Sequence, residues 1–401
     1  MTVVIKPSKA KGIISAPPSK SAAHRALICG ALSEKSVIKN IAYSEDIKAT
    51  LRALRALGAE IEEKGEEVII GGLLKNDIRS TEINCSESGS TLRFIIPIAM
   101  LFDKKITLTG EGRLLKRPQD VFKELFEKMP VTFKQNENNI VLKGPIKSGN
   151  YRLRGDVSSQ FISGLLFSLP NTKGNSEIEL TTALESSPYI DLTREILREF
   201  GIETDYSDGV FSVKSGKFQN REFVVEGDYS NAAVYFLLNE IGGEVDVKGL
   251  KENSSQGDSG CKEYLRKLKE NKNEPLDLSD CPDLAPVLFA AAAVFGGGKF
   301  VGTKRLKIKE SDRIATMREE LKKFGINLIE EENSVIVEKG TLKAPTQPLC
   351  GHNDHRIVMA MTALSTITGG EIRGAEAIAK SYPDFFEKLK MLSVSIEEKG
   401  L

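Results

Sequence analysis

The 401-residue chain has no tryptophan, and only 6% of its residues are aromatic. A surface that stacks nucleic-acid bases is therefore not expected. It also lacks an excess of either charge: 56 Lys and Arg stand against 56 Asp and Glu, for a formal net charge of zero. That excludes binding nucleic acid through a general basic field. Any anion must be held by locally concentrated cations. The five cysteines (Cys29, Cys85, Cys261, Cys281 and Cys350) are scattered, with no Cys-x-x-Cys. They fit reduced thiols better than disulfides or zinc. Long apolar runs are missing too. FIIPIAMLF at 94–102 is far short of a membrane span, and MTVVIKPSKAKG at the start has no long apolar core of a signal peptide. These absences lead to the expectation of a soluble, cytoplasmic protein. Its 40% hydrophobic residues suffice for packed cores, and its length suggests two domains or more.

What the chain does have is internal similarity. One pattern is a charged amphipathic helix running into a strand-turn-strand. DIKATLRALRALGAEIEEKGEEVIIGG at 46–72 has Leu51, Leu54 and Leu57 on one face and Gly58 at the helix end. The pattern returns at 120–144, at 191–216 (with Asp208-Gly209 as hairpin turn), and at 312–340. A shortened copy lies at 262–278 and a last one at 384–400. A second pattern alternates with it: a small polar cluster, then a helix apolar nearly all round. These copies begin PPSKSAAHRALICGAL, SESGSTLRFIIPIAML, GDVSSQFISGLLFSL, GDYSNAAVYFLLNEI, CPDLAPVLFAAAAVF and HNDHRIVMAMTALST. The apolar helices should be buried and the amphipathic ones exposed. The result is an α/β repeat, without the Gly-x-Gly-x-x-Gly of a dinucleotide fold.

In PPSKSAAHRAL, at 17–27, Lys20, His24 and Arg25 occupy the first turns of a helix. The helix dipole disfavours cations there. Their placement makes sense if an anion binds. The six apolar helices all begin near Ser, Asp, Asn or Gly, which cap N-termini. If those N-termini converge on one cleft, they form an anion site, and the ligand supplies the negative charge.

The motifs PPSKSAAHRAL, SGSTLRF (88–94), KRPQD (116–120), SSQF (158–161), PYID (188–191), PDLA (282–285), KIKESDRI (307–314), NDHRI (353–357) and KSYPDFF (380–386) span the chain. Together, in this order, they resemble the 5-enolpyruvylshikimate-3-phosphate synthase family. The resemblance implies an α/β fold of two pseudo-three-fold domains, an inside-out α/β barrel. Each has three βαβαββ repeats, with buried helices aimed at the inter-domain cleft. Residues 1–18 and 227–401 would form one domain and 19–226 the other. It implies transfer of the enolpyruvyl group of phosphoenolpyruvate to the 5-hydroxyl of shikimate 3-phosphate, with release of phosphate, by a monomer without cofactor or metal.

By this resemblance, shikimate 3-phosphate is bound by Lys20, Ser21, Arg25, Ser158, Ser159, Gln160, Ser186, Tyr189, Asp283 and Lys309. Phosphoenolpyruvate is bound by Lys20, Gly89, Ser90, Arg93, Arg117, Gln160, Arg313, Arg356 and Lys380. Lys20, Arg117 and Lys380 would take its phosphate, and Arg313 and Arg356 its carboxylate, a group that the guanidinium fork matches. Asp283 would hold the 5-hydroxyl and take its proton. Glu310 would deliver a proton to the methylene carbon. Lys20 and Lys380 join them as catalytic residues. Taken singly, each serine could be a plain cap and each cation a surface charge. Asp283 could cap LAPVLFAAAAVF, and Glu310 could be half of a surface pair.

The chain departs from the family at Glu87, Ser187 and Arg305. Ser187 leaves one shikimate-side contact in doubt, and Glu87 and Arg305 carry no role. His352 and His355 suggest a metal, but no further ligand cluster accompanies them. His355 is expected beside Arg356 and His352 in a loop. Rival readings are transfer to UDP-N-acetylglucosamine, a non-catalytic anion-binding scaffold, and RNA-end processing. The first is opposed by the lack of a cysteine in GEGRLLKRP, the second by the joint presence of Asp283, Glu310, Lys20 and Lys380. The third lacks support from charge or a nucleophilic histidine motif.

Overall fold

In the computed structural model, which describes residues 1–270 and 274–399, the chain forms two compact units. Pro18–Glu226 makes a middle unit, and Met1–Pro17 with Gly227–Leu401 makes a terminal unit. Positions 271–273 of the shortened repeat and 400 of the last lie outside the described residues. The middle unit holds α1 (Lys20–Leu32), α2 (Glu45–Ala56), α3 (Gly89–Ala99), α4 (Asp120–Phe126), α5 (Ser159–Ser168) and α6 (Ser187–Glu199). The terminal unit holds α7 (Tyr229–Glu240), α8 (Cys261–Glu270), α9 (Ala285–Phe295), α10 (Arg313–Lys323), α11 (His355–Thr368) and α12 (Phe385–Met391). Each unit has its own apolar core.

The sheets repeat one design. Glu82–Asn84 runs parallel to Lys105–Thr109, which pairs antiparallel with Ile140–Lys143, and that strand pairs antiparallel with Thr132–Gln135. The same order joins Asn150–Leu153, Ser176–Leu180, Val210–Val213 and Thr204–Ser207. The turn of this last hairpin is Asp208-Gly209, both at positive φ, as its sequence demands. Segments distant in sequence close other sheets: Glu222–Val224 completes the first sheet of the middle unit, and Thr2–Ile5 lies inside a terminal-unit sheet.

The repeat at 262–278 is short, as expected. Among the described residues, α8 is followed by the single strand Leu276–Asp277, which joins the next repeat's sheet, parallel to Gly298–Val301. EPLDL at 274–278 offers no second alternating run to pair with. Instead, Lys11–Ser15 pairs in parallel with Glu244–Lys248 to make a two-stranded sheet.

The division of helices follows their patterns. In α1 all residues from Ala22 to Leu32 are buried, and in α11 all from His355 to Thr366. α2 instead buries one face, including Leu51 and Leu54, and Leu57 follows at its C-cap. Ser19, Ser88, Ser158, Asp228 and Asp354 cap α1, α3, α5, α7 and α11 through their side chains. α9 departs from this rule. Its N-cap is Leu284, with no side-chain cap bond, and Asp283 turns elsewhere. Pro286 in the first turn has no N–H to satisfy, which reduces the need for a cap.

α3 and α5 pack closely. Pro97 cannot donate to the carbonyl of Arg93, one turn back. Gly164 of α5 fills that spot: a Cβ there would lie 2.5 Å from the Arg93 carbonyl oxygen. The missing side chain thus lets the two helices approach closely.

Candidate active site

In the middle unit, the first turns of α3 and α5 are joined by side chains. Gln160 donates from Nε2 to Ser90 Oγ at 2.9 Å and accepts from Arg93 Nη1 at 2.8 Å. Arg93 also donates to the Pro118 carbonyl at 3.0 Å and stacks over the Phe161 ring at 4.8 Å. The next cation, Arg117, lies flat against the start of α3. A Cβ on Gly89 would stand 2.5 Å from its Nη1 and 2.9 Å from its Cζ, so only glycine admits this approach. Gly89, Ser90, Arg93, Arg117 and Gln160 are therefore one cluster at a helix N-terminus, a place that favours anions.

Arg25, one turn into α1, is buried. It donates to Thr193 Oγ1 at 2.8 Å, to the Ser21 carbonyl at 2.7 Å and to the Tyr189 carbonyl at 2.9 Å. Every one of these partners is uncharged. Burial pushes its pKa down to about 10, which still leaves it charged at neutral pH. The structure thus brings Arg25, Ser21 and Tyr189 together. Ser186, at the start of α6, is buried in a left-handed conformation. Ser158 caps α5, and Ser159 is buried beside it. α6 packs against both α1 and α5 and so brings the helices that carry these serines and Arg25 together. Lys20 pairs with Asp46 of α2 at 2.9 Å.

His24 is not a ligand-facing cation. Burial, and then the charges of Lys20 and Arg25, hold it well below its ordinary pKa, so it is neutral. Its Nδ1 meets Thr50 Oγ1 at 2.8 Å, Thr50 meets Thr91 Oγ1 at 2.6 Å, and Thr91 donates to Ser88 Oγ at 2.8 Å. This chain fixes the Ser88 cap of α3 relative to α1.

The terminal unit is built around Arg313. Its Nη1 donates to Asp283 Oδ1 at 2.7 Å, its Nη2 to Glu310 Oε2 at 3.0 Å, and its Nε to Asp354 Oδ2 at 3.0 Å. Lys309 adds a second contact to Asp283 Oδ1 at 3.2 Å. Burial alone would raise the Asp283 pKa. The charges of Lys309, Arg313 and Arg356 outweigh that and hold it well below the usual carboxylate range. Burial likewise lowers Lys309, with Asp283 opposing. Asp283 is thus bound into a charged cluster rather than used as a cap, and Glu310 shares its guanidinium.

Arg356 presents a different picture. It is buried, yet its Nη1 meets only the neutral Asn231 Oδ1 at 3.2 Å, and Asp283 Oδ2 stands 4.0 Å from its Nη2. Its Nε has no hydrogen-bond partner among the described residues. Lys380 donates to the Asn353 carbonyl at 2.7 Å, three residues before Arg356. Asp258 lies buried in this unit, accepting from Ser230. Burial first, and then the Asp283 charge, pushes it up to about 6.

The two histidines of HNDH serve different neighbours. His352 Nε2 meets Glu320 Oε1 at 2.7 Å, with Glu319 nearby, while His355 sits buried at the start of α11. Glu320 already accepts from Lys323 at 2.8 and 3.0 Å and from the Cys350 N–H at 3.0 Å, so an ammonium fills that acid cluster. Of the departures, the Glu87 carboxylate covers Gly112, and Arg305 donates to the Ser279 carbonyl, bracing the loop before Asp283. Ser187 is the first residue of α6.

Sequence reasoning missed Asp46, Thr193, Asn231 and Asp354 as partners of the expected site residues. Asp354 lay within a quoted motif, and Asn231 is a polar residue in the first turn of an apolar helix, which was the available signal. Nothing local marked Asp46 or Thr193.

The chain matches the family model for EPSP synthase (3-phosphoshikimate 1-carboxyvinyltransferase) over residues 4–389. It is similar to the 3-phosphoshikimate 1-carboxyvinyltransferase of Clostridium kluyveri, with 40% identity covering 99% of this chain and 98% of the relative. That of Clostridium perfringens is 41% identical over 97% and 98%. Among solved structures, EPSP synthase from Acinetobacter baumannii aligns over 99% of both chains, with a TM-score of 0.80 and 25% identity. With its repeats, its helix-terminal cations and its acid cluster in place, the chain belongs to the EPSP synthase (3-phosphoshikimate 1-carboxyvinyltransferase) family.

Proposed function

We propose that this chain transfers the enolpyruvyl group of phosphoenolpyruvate to the 5-hydroxyl of shikimate 3-phosphate by addition and elimination, with the residues described above in separate binding and proton-transfer roles. The observation that carries the division of labour is the Arg313 guanidinium shared by Asp283 and Glu310. It gives two carboxylates fixed positions on one rigid fork, as a reaction with two separate proton transfers requires.

Arg25, Ser21, Ser158, Ser159, Gln160, Ser186 and Tyr189 hold shikimate 3-phosphate, with Lys20 and Lys309 adding charge. Arg117, Gly89, Ser90 and Arg93 at the start of α3 receive phosphoenolpyruvate, its phosphate also meeting Lys20 and Lys380. Arg356 takes its carboxylate through its open donors. Arg313 has most of its N–H groups committed to acids, so it takes the lesser share of that carboxylate. Glu310 then protonates the methylene carbon, and the 5-oxygen bonds to the neighbouring carbon while Asp283 accepts its proton. The tetrahedral ketal phosphate collapses as a methyl proton returns to the Glu310 carboxylate and phosphate departs, stabilised by Lys20 and Lys380 as it leaves. Asp283 is a weak base while three cations face it. Substrate anions that occupy Arg356 and Lys309 raise its proton affinity when it is needed.

The protein is further read as a cytoplasmic monomer that needs no cofactor. Free, mostly buried cysteines suit a reducing compartment, and no helix among the described residues is long and apolar enough to cross a membrane. The test is phosphate release from phosphoenolpyruvate with each acceptor in turn. Release is expected with shikimate 3-phosphate, without added metal or nucleotide. Release only with UDP-N-acetylglucosamine, or loss on chelation with rescue by a metal, would overturn the reading.

A further inference from the structure

Asn231 is fully buried in the first turn of α7, its backbone N–H taken by the Asp228 cap at 2.8 Å. Its side chain reaches two other segments. Oδ1 accepts from Arg356 Nη1 at 3.2 Å, and Nδ2 donates to Ser381 Oγ at 3.2 Å. Arginine has only donors, so the amide oxygen must face Arg356 and the amide nitrogen must face the serine. One neutral side chain therefore sets the guanidinium of α11 against the segment that carries Lys380.

The contrast with Arg313 shows why neutrality matters. Arg313 is held by three carboxylates. Arg356 is held at hydrogen-bond distance by an amide, and the Asp283 Oδ2 atom stands 4.0 Å away. An amide oxygen fixes the plane of a guanidinium but leaves its charge for another anion. We infer that Asn231 is a positioning residue for phosphoenolpyruvate: it orients Arg356 without neutralising it and ties it to the Lys380 segment. This rests on the reading of Arg356 as the carboxylate ligand.

Asn231→Asp keeps size and an acceptor but places a charge on Arg356. It should raise the half-saturating phosphoenolpyruvate concentration roughly tenfold or more, the scale of a lost charge-assisted contact. Asn231→Ala should raise it less, because the charge stays available. In both, shikimate 3-phosphate binding, measured alone by calorimetry, should stay within about twofold of the parent. Asn239→Ala is the structural control. That residue only pairs with the Val245 backbone near the end of the same helix, so its loss should lower stability without changing phosphoenolpyruvate saturation. A folded Asn231→Asp protein that saturates like the parent, or that loses both substrates in parallel, overturns the inference. If Asn231→Asp does not fold, normal saturation of Asn231→Ala does so. Arg356→Ala separates the two levels. If it leaves phosphoenolpyruvate saturation unchanged, the reading of Arg356 fails. If it weakens saturation while the Asn231 variants do not, only the role of Asn231 falls.

Discussion

In the middle unit Arg25 donates to a threonine hydroxyl and two carbonyls, whereas in the terminal unit Arg313 donates to three carboxylates. Both side chains are buried near the start of a helix, so burial does not separate them. Their partners do. Neutral acceptors hold Arg25 in place and leave its charge uncompensated. Arg93 likewise donates to neutral acceptors, the Gln160 amide and the Pro118 carbonyl. Such cations suit a ground-state anion that arrives already charged. Carboxylates around Arg313 cancel its charge, and the guanidinium instead fixes where those acids point. Such a cluster suits proton transfer. The two units share one repeat architecture, yet the company each arginine keeps suits one to holding an anion and the other to placing acids.

The strongest test of this contrast is Glu310→Gln. Glutamine can still accept from Arg313 but cannot carry a proton, so the cluster should persist. Turnover is expected to fall by roughly 100-fold or more, the usual scale for losing a general acid–base group. Calorimetry should show both substrates still binding. Near-normal turnover would remove Glu310 from the proton path. Loss of both substrates together with the rate would make it structural, and Lys20 or Lys380 would then be the better candidate for the proton.

The mirror test is Arg25→Ala. Shikimate 3-phosphate affinity should drop roughly 10- to 100-fold, the scale of a charged hydrogen bond. Turnover at saturation should change far less. The carbonyls of Ser21 and Tyr189 also lose a donor, so thermal stability should fall as well. A collapse in turnover with unchanged affinity would place Arg25 with the chemistry and break the comparison.

The parts of this contrast differ in how far sequence reveals them. Helix starts are local: Ser19, Ser88, Ser158, Asp228 and Asp354 each bond a backbone N–H two or three residues on, and a polar residue before an apolar run announces that. The Asp208-Gly209 hairpin is local for the same reason. The missing cap of α9 and the two-stranded sheet were not legible, because each depends on what distant segments supply. The pairs that define the site are more distant still. Lys20 and Asp46 lie 26 positions apart, and Asn231 and Arg356 lie 125 apart. The family motifs pointed to Asp283, Glu310 and Arg313 as site residues. They did not reveal that one guanidinium joins both acids, nor that Arg356 is left with open donors.

A smaller effect sharpens the comparison within the terminal unit. Asp283 and Asp258 are neighbouring acids with opposite shifts. Cations overcome the burial of Asp283 and hold it well below the usual range. For Asp258 burial dominates, the Asp283 charge adds to it, the Ser230 hydrogen bond opposes only in part, and the result is about 6. The unfolded chain would titrate this group near 3.9. Because the folded pKa is the higher one, the folded state keeps its proton while the unfolded state loses it. The resulting stability is fully present below about pH 4 and is lost as pH rises through about 6, an order-of-magnitude loss of about 3 kcal/mol at alkaline pH. Asp258→Asn removes the titration and can keep an acceptor for Ser230. It should therefore stabilise the protein at pH 8 by up to that amount and have little effect at pH 4, where the aspartic acid is also neutral. Urea unfolding of both proteins at pH 4, 6 and 8 measures this. An equal difference at all three values would show that Asp258 carries no raised proton affinity, and that the cations of the terminal unit compensate both of its neighbouring acids alike.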